Sequence, residues 1–343
     1  MIERTTRRLL TPPPSTSRIV ELDALRGIAA LGVMFYHYTL RYDQIYGHTN
    51  PLPVTVSAGR YGVLLFFMIS GFVILMSLEH TKRIQDFVVK RVVRLYPTYW
   101  VAIALTFSLV AVLGLPGREV SASDAVLNGL MVHPFWSIPN VDGVYWTLLI
   151  ELIFYIVMVG VCLLRLLPHI EWVVMVWLGI NTLENHNLLI EIPEQFERWF
   201  ILDYGYLFMM GIIFYRVWQH GGSVVRYGLI AACFASQMAL YPEIERHITV
   251  LICLVMFALI NGGKLRAIAI PPLLALGSVS YSLYLIHQNI GYIIIRSLES
   301  VGISPVSSII VAISLTIALA AVITRYIEQP TFNWIKRIYR PGK

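Results

Sequence analysis

Long runs of apolar residues recur along this chain of 343 residues and constrain its fold more than any other feature. A helix needs about 20 mostly apolar residues to cross the hydrocarbon core of a bilayer. Ten segments approach that length, the fifth being the shortest and most polar, and they cover roughly residues 24–41, 61–78, 95–114, 144–164, 170–183, 199–216, 224–241, 247–261, 272–295 and 305–327. The sequence therefore predicts an all-α, polytopic membrane helix bundle with about ten transmembrane helices.

The composition agrees with this prediction. Hydrophobic residues make up 57% of the chain, whereas Asp, Glu, Lys and Arg together make up only 13%. Ordinary soluble domains carry about 25% charged residues. A soluble enzyme and a disordered chain are both excluded, and each charged residue inside an apolar segment becomes a candidate for function.

The positions of the basic residues orient the segments. If the amino terminus is cytoplasmic, the outer side holds six of the 26 Lys and Arg residues, which leaves 20 for the inner side; the outer six are Arg41, Arg60, Arg118, Arg198, Arg246 and Arg296. Cytoplasmic loops carry such an excess, so both termini are predicted to be cytoplasmic. The net charge of +6 then reflects orientation in the membrane, and no nucleic-acid partner is expected.

Three regions are predicted. Residues 1–20 form a basic, Pro-rich cytoplasmic segment, residues 21–330 form the membrane domain, and residues 331–343 form a basic cytoplasmic tail. The tail has the character of a segment that binds lipid headgroups rather than one that catalyses a reaction.

The first apolar segment carries two ionisable residues, Arg26 and His37, which lie eleven residues apart. Eleven residues complete about three helical turns, so both side chains share one face and are separated by about 16 Å along the axis. Small residues between them suit a helix that lines a polar interior. The alternative is an arginine at the headgroups together with a structural histidine.

The densest basic cluster precedes the third segment. Its residues Arg91 and Arg94 are three apart and share a helix face at the cytoplasmic entrance to the membrane. Paired guanidinium groups suit phosphate or pyrophosphate binding. Anchoring of the helix on the cytoplasmic side is the alternative. Pro97 is expected to kink or restart the helix.

Two later segments also contain polar side chains. Glu151 lies inside the fourth segment, five residues after Trp146, and a carboxylate at that depth is a functional candidate unless it serves a structural ion pair. In the ninth segment, Ser280, Tyr284 and His287 follow helical spacing and form a polar stripe. The remaining histidines lack metal-site spacing, so no catalytic metal is expected.

Six sequence stretches, in this order along the chain, resemble the acyltransferase type 3 family of integral-membrane O-acyltransferases. They are ELDALRGIAALGVMFYH with its R-x10-H spacing, LLFFMISGFVI, RVVRLYP with its R-x-x-R pair, VYWTLLIELIFY, SYSLYLIHQ and IEQP. The resemblance extends from about residue 19 to residue 335. The family is similar in having ten spans and cytoplasmic termini.

The resemblance implies a function and a set of site residues. The function is transfer of an acetyl or other short acyl group from acetyl-CoA to a hydroxyl of an extracytoplasmic or lipid-linked glycan, as in the exopolysaccharide-modifying members, at a bacterial cytoplasmic membrane. The arginine and histidine that the family requires fall on Arg26 and His37, its arginine pair falls on Arg91 and Arg94, and its fourth-span residues fall on Trp146 and Glu151.

The predicted mechanism assigns a role to each group. His37 acts as the general base, Glu151 orients it or stabilises its charge, and the arginines hold the phosphates of acetyl-CoA. Trp146, Tyr284 and His287 bind substrate. Two alternatives stay open: an acyl-imidazole formed on His37, and a transporter or flippase for a glycan or acyl donor, because polar intramembrane stripes also mark transport pathways.

Overall fold

The structure is a computed structural model that describes residues 19–185 and 201–338. Ten helices of at least sixteen residues build most of this part of the chain: α1 Val20–Tyr36, α2 Gly62–Glu79, α3 Ile84–Leu113, α4 Trp146–Leu163, α5 Ile170–Asn185, α6 Gly205–His220, α7 Val224–Leu240, α8 Ile244–Asn261, α9 Pro271–Ser300 and α10 Pro305–Ile323. A shorter helix, α11, spans Gln329–Ile338. The described residues contain no β-strand, which confirms the predicted all-α fold.

Three predicted features lie wholly or partly outside the described residues. They are most of the N-terminal segment, the first residues of the sixth apolar segment, and the end of the basic tail.

Five helical stretches in the described residues are long and apolar enough to cross a membrane; they are Ser57–Glu79, Ile84–Leu113, Gly143–Leu163, Ile244–Asn261 and Pro305–Ile335. A helix lies at each of the other five predicted positions, but these helices are shorter or more polar. Helix α9 has 30 residues and carries its polar residues on buried positions. The protein is therefore a multi-pass membrane protein, while the count of ten spans and the side of the termini stay predictions.

Residues predicted to share one side of the membrane contact one another across helices. On the predicted inner side the pairs are Arg216–Glu79 and Arg226–Glu171, both at 2.7 Å, and on the predicted outer side His48 pairs with Glu299 at 2.7 Å. The alternation of loops that the basic residues indicate is thus consistent with the helix packing.

Glycine residues allow the closest contacts between helices. A Cβ atom at Gly277 of α9 would overlap the main-chain carbonyl of Asp23 in α1, and one at Gly27 would overlap the carbonyl of Leu273. Helices in a membrane associate through such close backbone packing. Helix α1 consequently lies directly against α9, and it also contacts α2.

The first helix does not end at Tyr36. It continues through a π-helical turn at His37–Arg41 into a short α-helix at Tyr42–Tyr46. A π turn is rare, and it often marks a functional position. Helix α3, by contrast, runs without interruption through Pro97. Of the two predicted outcomes, the restart is wrong, because the groups that proline leaves unpaired in a membrane helix can be satisfied locally. A kink at Pro97 stays a prediction.

Candidate active site

A cavity of about 740 Å³, including its open mouth, lies between helices of the bundle. Five helices line it: α1, α2, α3, α4 and α9. Of the predicted site residues, Arg26, Arg91, Arg94, Glu151 and Tyr284 face this cavity. The sequence predicts that separate apolar segments contribute polar and charged side chains to one polar interior. The packing of the helices around the cavity is consistent with this prediction.

One end of the cavity is cationic. Arg26 forms an ion pair with Asp23 one helical turn earlier, with Nη1 and Oδ1 3.2 Å apart. The guanidinium of Arg91 lies over the rings of Phe87 and Tyr155, at 5.2 and 5.6 Å from their centroids. The Nε atom of Arg91 is buried and has no hydrogen-bond partner in the described part of the chain. Cation–π contacts orient this group without neutralising its charge.

Arg94 is the least compensated of the three arginines. Its guanidinium donates no hydrogen bond to any described residue, and no described carboxylate forms an ion pair with it within 4.0 Å. Its charged surroundings include Arg26, Arg91 and Glu328. A cation left unpaired beside a cavity can bind an anionic ligand without first breaking an internal ion pair.

Glu151 is held by two hydroxyl groups. Ser70 of α2 and Tyr155, one turn further along α4, both donate to Oε1, at 2.9 and 2.5 Å. Glu151 makes no hydrogen bond to His37 in the structure. Its carboxylate instead faces the arginines of the cavity.

His37 lies beyond the cavity, at the start of the π turn. Its Nδ1 atom is 2.9 Å from the carbonyl oxygen of Val33 and 3.2 Å from Nε2 of His287. The His287 ring is in turn 5.7 Å, centroid to centroid, from that of Tyr284, which lines the cavity. A continuous series of side chains thus connects the cationic cavity with His37.

Trp146 occupies a different position from the one expected. Its ring packs against Tyr204 and Phe67, with centroids 5.4 and 6.5 Å away, and 37% of the residue is exposed. The next residue, Thr147, lines the cavity instead. Because the two residues differ by one helical position, Trp146 points about 100° away from the cavity-facing direction.

Sequence reasoning missed Asp142. This residue is fully buried just before α4, and it accepts hydrogen bonds from the main-chain amides of Val144 and Asn289, at 3.2 and 3.0 Å. Burial raises the pKa of its carboxyl group to about 7, against the lowering effect of those hydrogen bonds and of Arg118. Its position in the sequence, an acidic residue directly before the apolar and aromatic segment GVYWTLLIELIFY, could have marked it as a candidate.

Among the described residues no group of three or more His, Cys, Asp or Glu side chains is arranged to hold a metal ion. The polar groups of the site are instead guanidinium, imidazole, carboxylate and hydroxyl groups. Such a set can bind an anion, accept a proton and stabilise charge.

The protein is a membrane-embedded helix bundle with an internal cationic cavity and a histidine near it. These features define a membrane protein with a site inside the membrane. A sequence profile described as "Acyltransferase domain", that of the acyltransferase type 3 family, matches residues 19–325. The chain belongs to this family and is a membrane acyltransferase. The resemblance inferred from its motifs is confirmed.

Two relatives are similar over different shares of the chain. Nodulation protein 10 of Rhizobium leguminosarum bv. viciae is 25% identical over 363 aligned positions, which cover 91% of this chain and 92% of the relative. Acyltransferase MdmB of Streptomyces mycarofaciens is 31% identical over 156 positions, which cover 42% of this chain and 39% of the relative. No solved protein structure matches the chain.

Proposed function

We propose that this protein transfers an acetyl or other short acyl group from acyl-CoA, bound from the cytoplasm, to a hydroxyl of an extracytoplasmic or lipid-linked glycan at a bacterial cytoplasmic membrane. One observation carries the proposal. Arg26, which lines the cationic cavity, and His37 lie on one helix, about 16 Å apart along its axis, and Tyr284 and His287 connect the cavity with His37. A donor and an acceptor can therefore approach from opposite sides.

The donor binds in the cavity. The phosphate groups of CoA lie at Arg94 and Arg91, and Arg26 adds positive charge. Guanidinium groups bind phosphate through paired hydrogen bonds. The apolar lining from α2, which includes Phe66 and Phe67, holds the pantetheine arm and directs the thioester past Tyr284 towards His37.

His37 activates the acceptor. The hydroxyl oxygen of the sugar attacks the thioester carbonyl carbon while Nε2 of His37 takes the hydroxyl proton. The tetrahedral intermediate then collapses, the carbon–sulfur bond breaks, and the proton passes to the departing thiolate of CoA. Transfer is direct; an acyl-imidazole on His37 is the less favoured route.

Glu151 acts from the cavity rather than at the imidazole. Ser70 and Tyr155 fix its carboxylate by hydrogen bonds. One negative charge beside three arginines limits their mutual repulsion when the site is empty, and it orients the cations towards the phosphates of the donor.

Family membership favours this enzyme over a transporter, because the matched profile describes an acyltransferase domain. The relatives add no acceptor: the name of one states acyltransferase, and the name of the other states nodulation. The identity of the acceptor as a glycan and of the donor as acetyl-CoA is therefore tested by experiment.

The experiment uses the purified full-length protein in lipid nanodiscs. Binding of CoA is measured for the wild type, for Arg94→Gln, and for Arg83→Gln, an exposed arginine outside the cavity. Transfer of labelled acetyl is measured for His37→Gln and for His80→Gln, an exposed histidine. We expect weaker CoA binding only for Arg94→Gln, and loss of transfer only for His37→Gln.

Wild-type CoA affinity in Arg94→Gln would contradict the donor site, and wild-type turnover in His37→Gln would contradict the base. The acceptor is identified by mass spectrometry of the cell-surface glycan from a deletion strain. The expected result is the loss of one acyl mass from the glycan. An unchanged glycan would contradict the proposed acceptor class without affecting the donor site.

A further inference from the structure

Two imidazole rings from helices far apart in the sequence meet inside the bundle. Nε2 of His287 lies 3.2 Å from Nδ1 of His37, and the rings are nearly perpendicular, with centroids 4.9 Å apart and an interplanar angle of 70°. His287 is buried, with 1% of its surface exposed. The separation and burial describe a direct hydrogen bond between the two rings.

The surrounding carbonyl groups determine where the protons lie. Nδ1 of His287 is 2.8 Å from the carbonyl oxygen of Tyr284, so this nitrogen carries hydrogen and donates it. In a neutral ring the other nitrogen, Nε2, then has a lone pair. The other neutral tautomer of His287 is excluded, because it would place the lone pair of Nδ1 against the lone pairs of the Tyr284 carbonyl oxygen, which cannot donate a hydrogen.

The same reasoning fixes the tautomer of His37. Its Nδ1 atom is 2.9 Å from the carbonyl of Val33, so Nδ1 carries hydrogen. That hydrogen is shared between the Val33 oxygen and the lone pair on Nε2 of His287. The lone pair of His37 is therefore on Nε2, the nitrogen that points away from both partners.

The position of His287 is itself closely held. The hydroxyl of Tyr38 donates to the carbonyl oxygen of His287 at 2.7 Å. Gly291, one turn later on α9, lets the ring of Tyr38 approach, because a Cβ atom there would overlap that ring. The main-chain amide of Asn289 is bonded to Asp142. Helix α9 is thereby fixed on both sides of the imidazole.

We propose that His287 is the positioning residue for His37: it accepts the hydrogen bond of Nδ1–H and so presents Nε2 of His37 as the base. The inference rests on the proposed function, in which His37 takes the acceptor proton. In hydrolases with a catalytic triad a carboxylate fills this place. Here a neutral imidazole does so, which avoids burying another charge in the membrane.

Protonation of His37 strengthens the pair. When Nε2 gains the proton of the attacking hydroxyl, the ring becomes an imidazolium and its Nδ1–H bond to His287 becomes charge-assisted. The proton then leaves Nε2 for the CoA thiolate, and both rings return to their neutral tautomers. No proton has to leave the pair through His287. Tyr284 and the polar groups of the cavity therefore take no part in the proton transfer.

The first test does not depend on activity. The full-length protein is labelled with ¹⁵N-histidine, and the resonances of the two rings are assigned by comparison with His37→Gln and His287→Gln. The ¹⁵N shifts are expected to show hydrogen on Nδ1 and a lone pair on Nε2 in both rings. Hydrogen on Nε2 of His37 in the wild type would overturn the proposal.

The second test compares two substitutions of the positioning residue. His287→Leu removes the acceptor, and we expect kcat for acetyl transfer to fall roughly 10- to 100-fold, by analogy with the loss of a partner that orients a metal-bound histidine. The KM for acetyl-CoA is expected to stay within about twofold, since the donor phosphates lie elsewhere. His287→Gln restores an acceptor oxygen and is expected to recover part of kcat.

The matched control is His133→Gln, which replaces another buried histidine, one whose partner is Asn140 in a loop away from the cavity. It is expected to keep the wild-type kcat. Equal activity of His287→Leu and the wild type would overturn the proposal, as would a His287→Gln variant no more active than His287→Leu. Wild-type turnover of His37→Gln would instead contradict the proposed function itself, so the two failures are distinguishable.

Discussion

Gly277 of α9 packs directly on the main-chain carbonyl of Asp23 in α1, and a methyl group at position 277 would overlap that oxygen. The side chain of Asp23 forms the ion pair with Arg26. The contact between two helix backbones therefore determines where a cation of the cavity lies. Small residues at this crossing contribute to the geometry of the site as well as to the packing of the bundle.

Replacement of this glycine is expected to weaken both stability and donor binding. Gly277→Ala forces α1 and α9 apart, which typically costs about 1–3 kcal/mol and lowers the midpoint of thermal unfolding by several degrees. CoA affinity falls with it, because Arg26 moves. The control is Gly160→Ala in α4, where an added Cβ meets nothing within 4 Å. A Gly277→Ala protein with wild-type stability would contradict the argument.

The role of Arg94 can be separated from general damage by changing the donor. Acetyl-pantetheine carries the reactive thioester but none of the phosphates of CoA. We expect Arg94→Gln to raise KM for acetyl-CoA roughly tenfold or more, because a charge-assisted contact is lost, and to leave KM for acetyl-pantetheine unchanged. Steady-state kinetics with both donors provide the measurement. Equal effects on the two donors would show that Arg94 does not bind phosphate.

Removal of the Glu151 charge is expected to affect chemistry more than binding. Glu151→Gln keeps the size of the side chain and raises the positive charge of the cavity by one. CoA should bind at least as tightly, whereas kcat should fall roughly tenfold or more because the arginines lose their orientation.

Glu119→Gln, which removes an exposed carboxylate in the loop after α3, is the control for Glu151→Gln. Weaker CoA binding by Glu151→Gln, with kcat unchanged, would contradict the assigned role.

Asp142 is expected to make stability depend on pH. Its pKa is raised to about 7 from an ordinary value near 3.8, so the folded protein binds a proton that the unfolded chain releases between these values. The resulting contribution is complete below about pH 4 and is lost as the pH rises through about 7. Thermal unfolding from pH 5 to pH 8 should therefore show decreasing stability.

Asp142→Asn abolishes this titration, and its unfolding midpoint should vary less over the same range. Asp203→Asn removes an exposed carboxylate and should keep the wild-type pH dependence. An unchanged slope in Asp142→Asn would show that Asp142 does not carry the proton.

Much of the fold follows from local sequence properties. Apolar segments predict helices because the membrane requires internal hydrogen bonding. The polar residues of the site also stand out against that background, and Arg26, Arg94 and Glu151 face one cavity. The prediction was less successful at Trp146, which turns away from the cavity while Thr147 turns in. Thr147 lies four residues before Glu151 and shares its helix face, a spacing that the assignment of Trp146 from the family motif did not use.

Contacts between side chains of distant helices could not be predicted from the sequence. His37 and His287 are 250 residues apart, and their contact depends on how α1 and α9 cross at Gly27 and Gly277. Ser70 stands beside Gly71 in an apolar segment, where nothing in the sequence points to a partner, yet its hydroxyl donates to Glu151. Periodicity places a residue on a face of its own helix, but which neighbour that face meets depends on the packing of the whole bundle.

The π turn at His37–Arg41 has a consequence for predicting which face of the helix a side chain occupies. A π turn pairs residues five apart instead of four, so it absorbs one extra residue and rotates everything after it by about 100° relative to a regular α-helix. Tyr38 and Tyr42 are buried in this frame. Tyr42 follows the turn, so a prediction that assumes unbroken helical periodicity would place it on the wrong face of the helix.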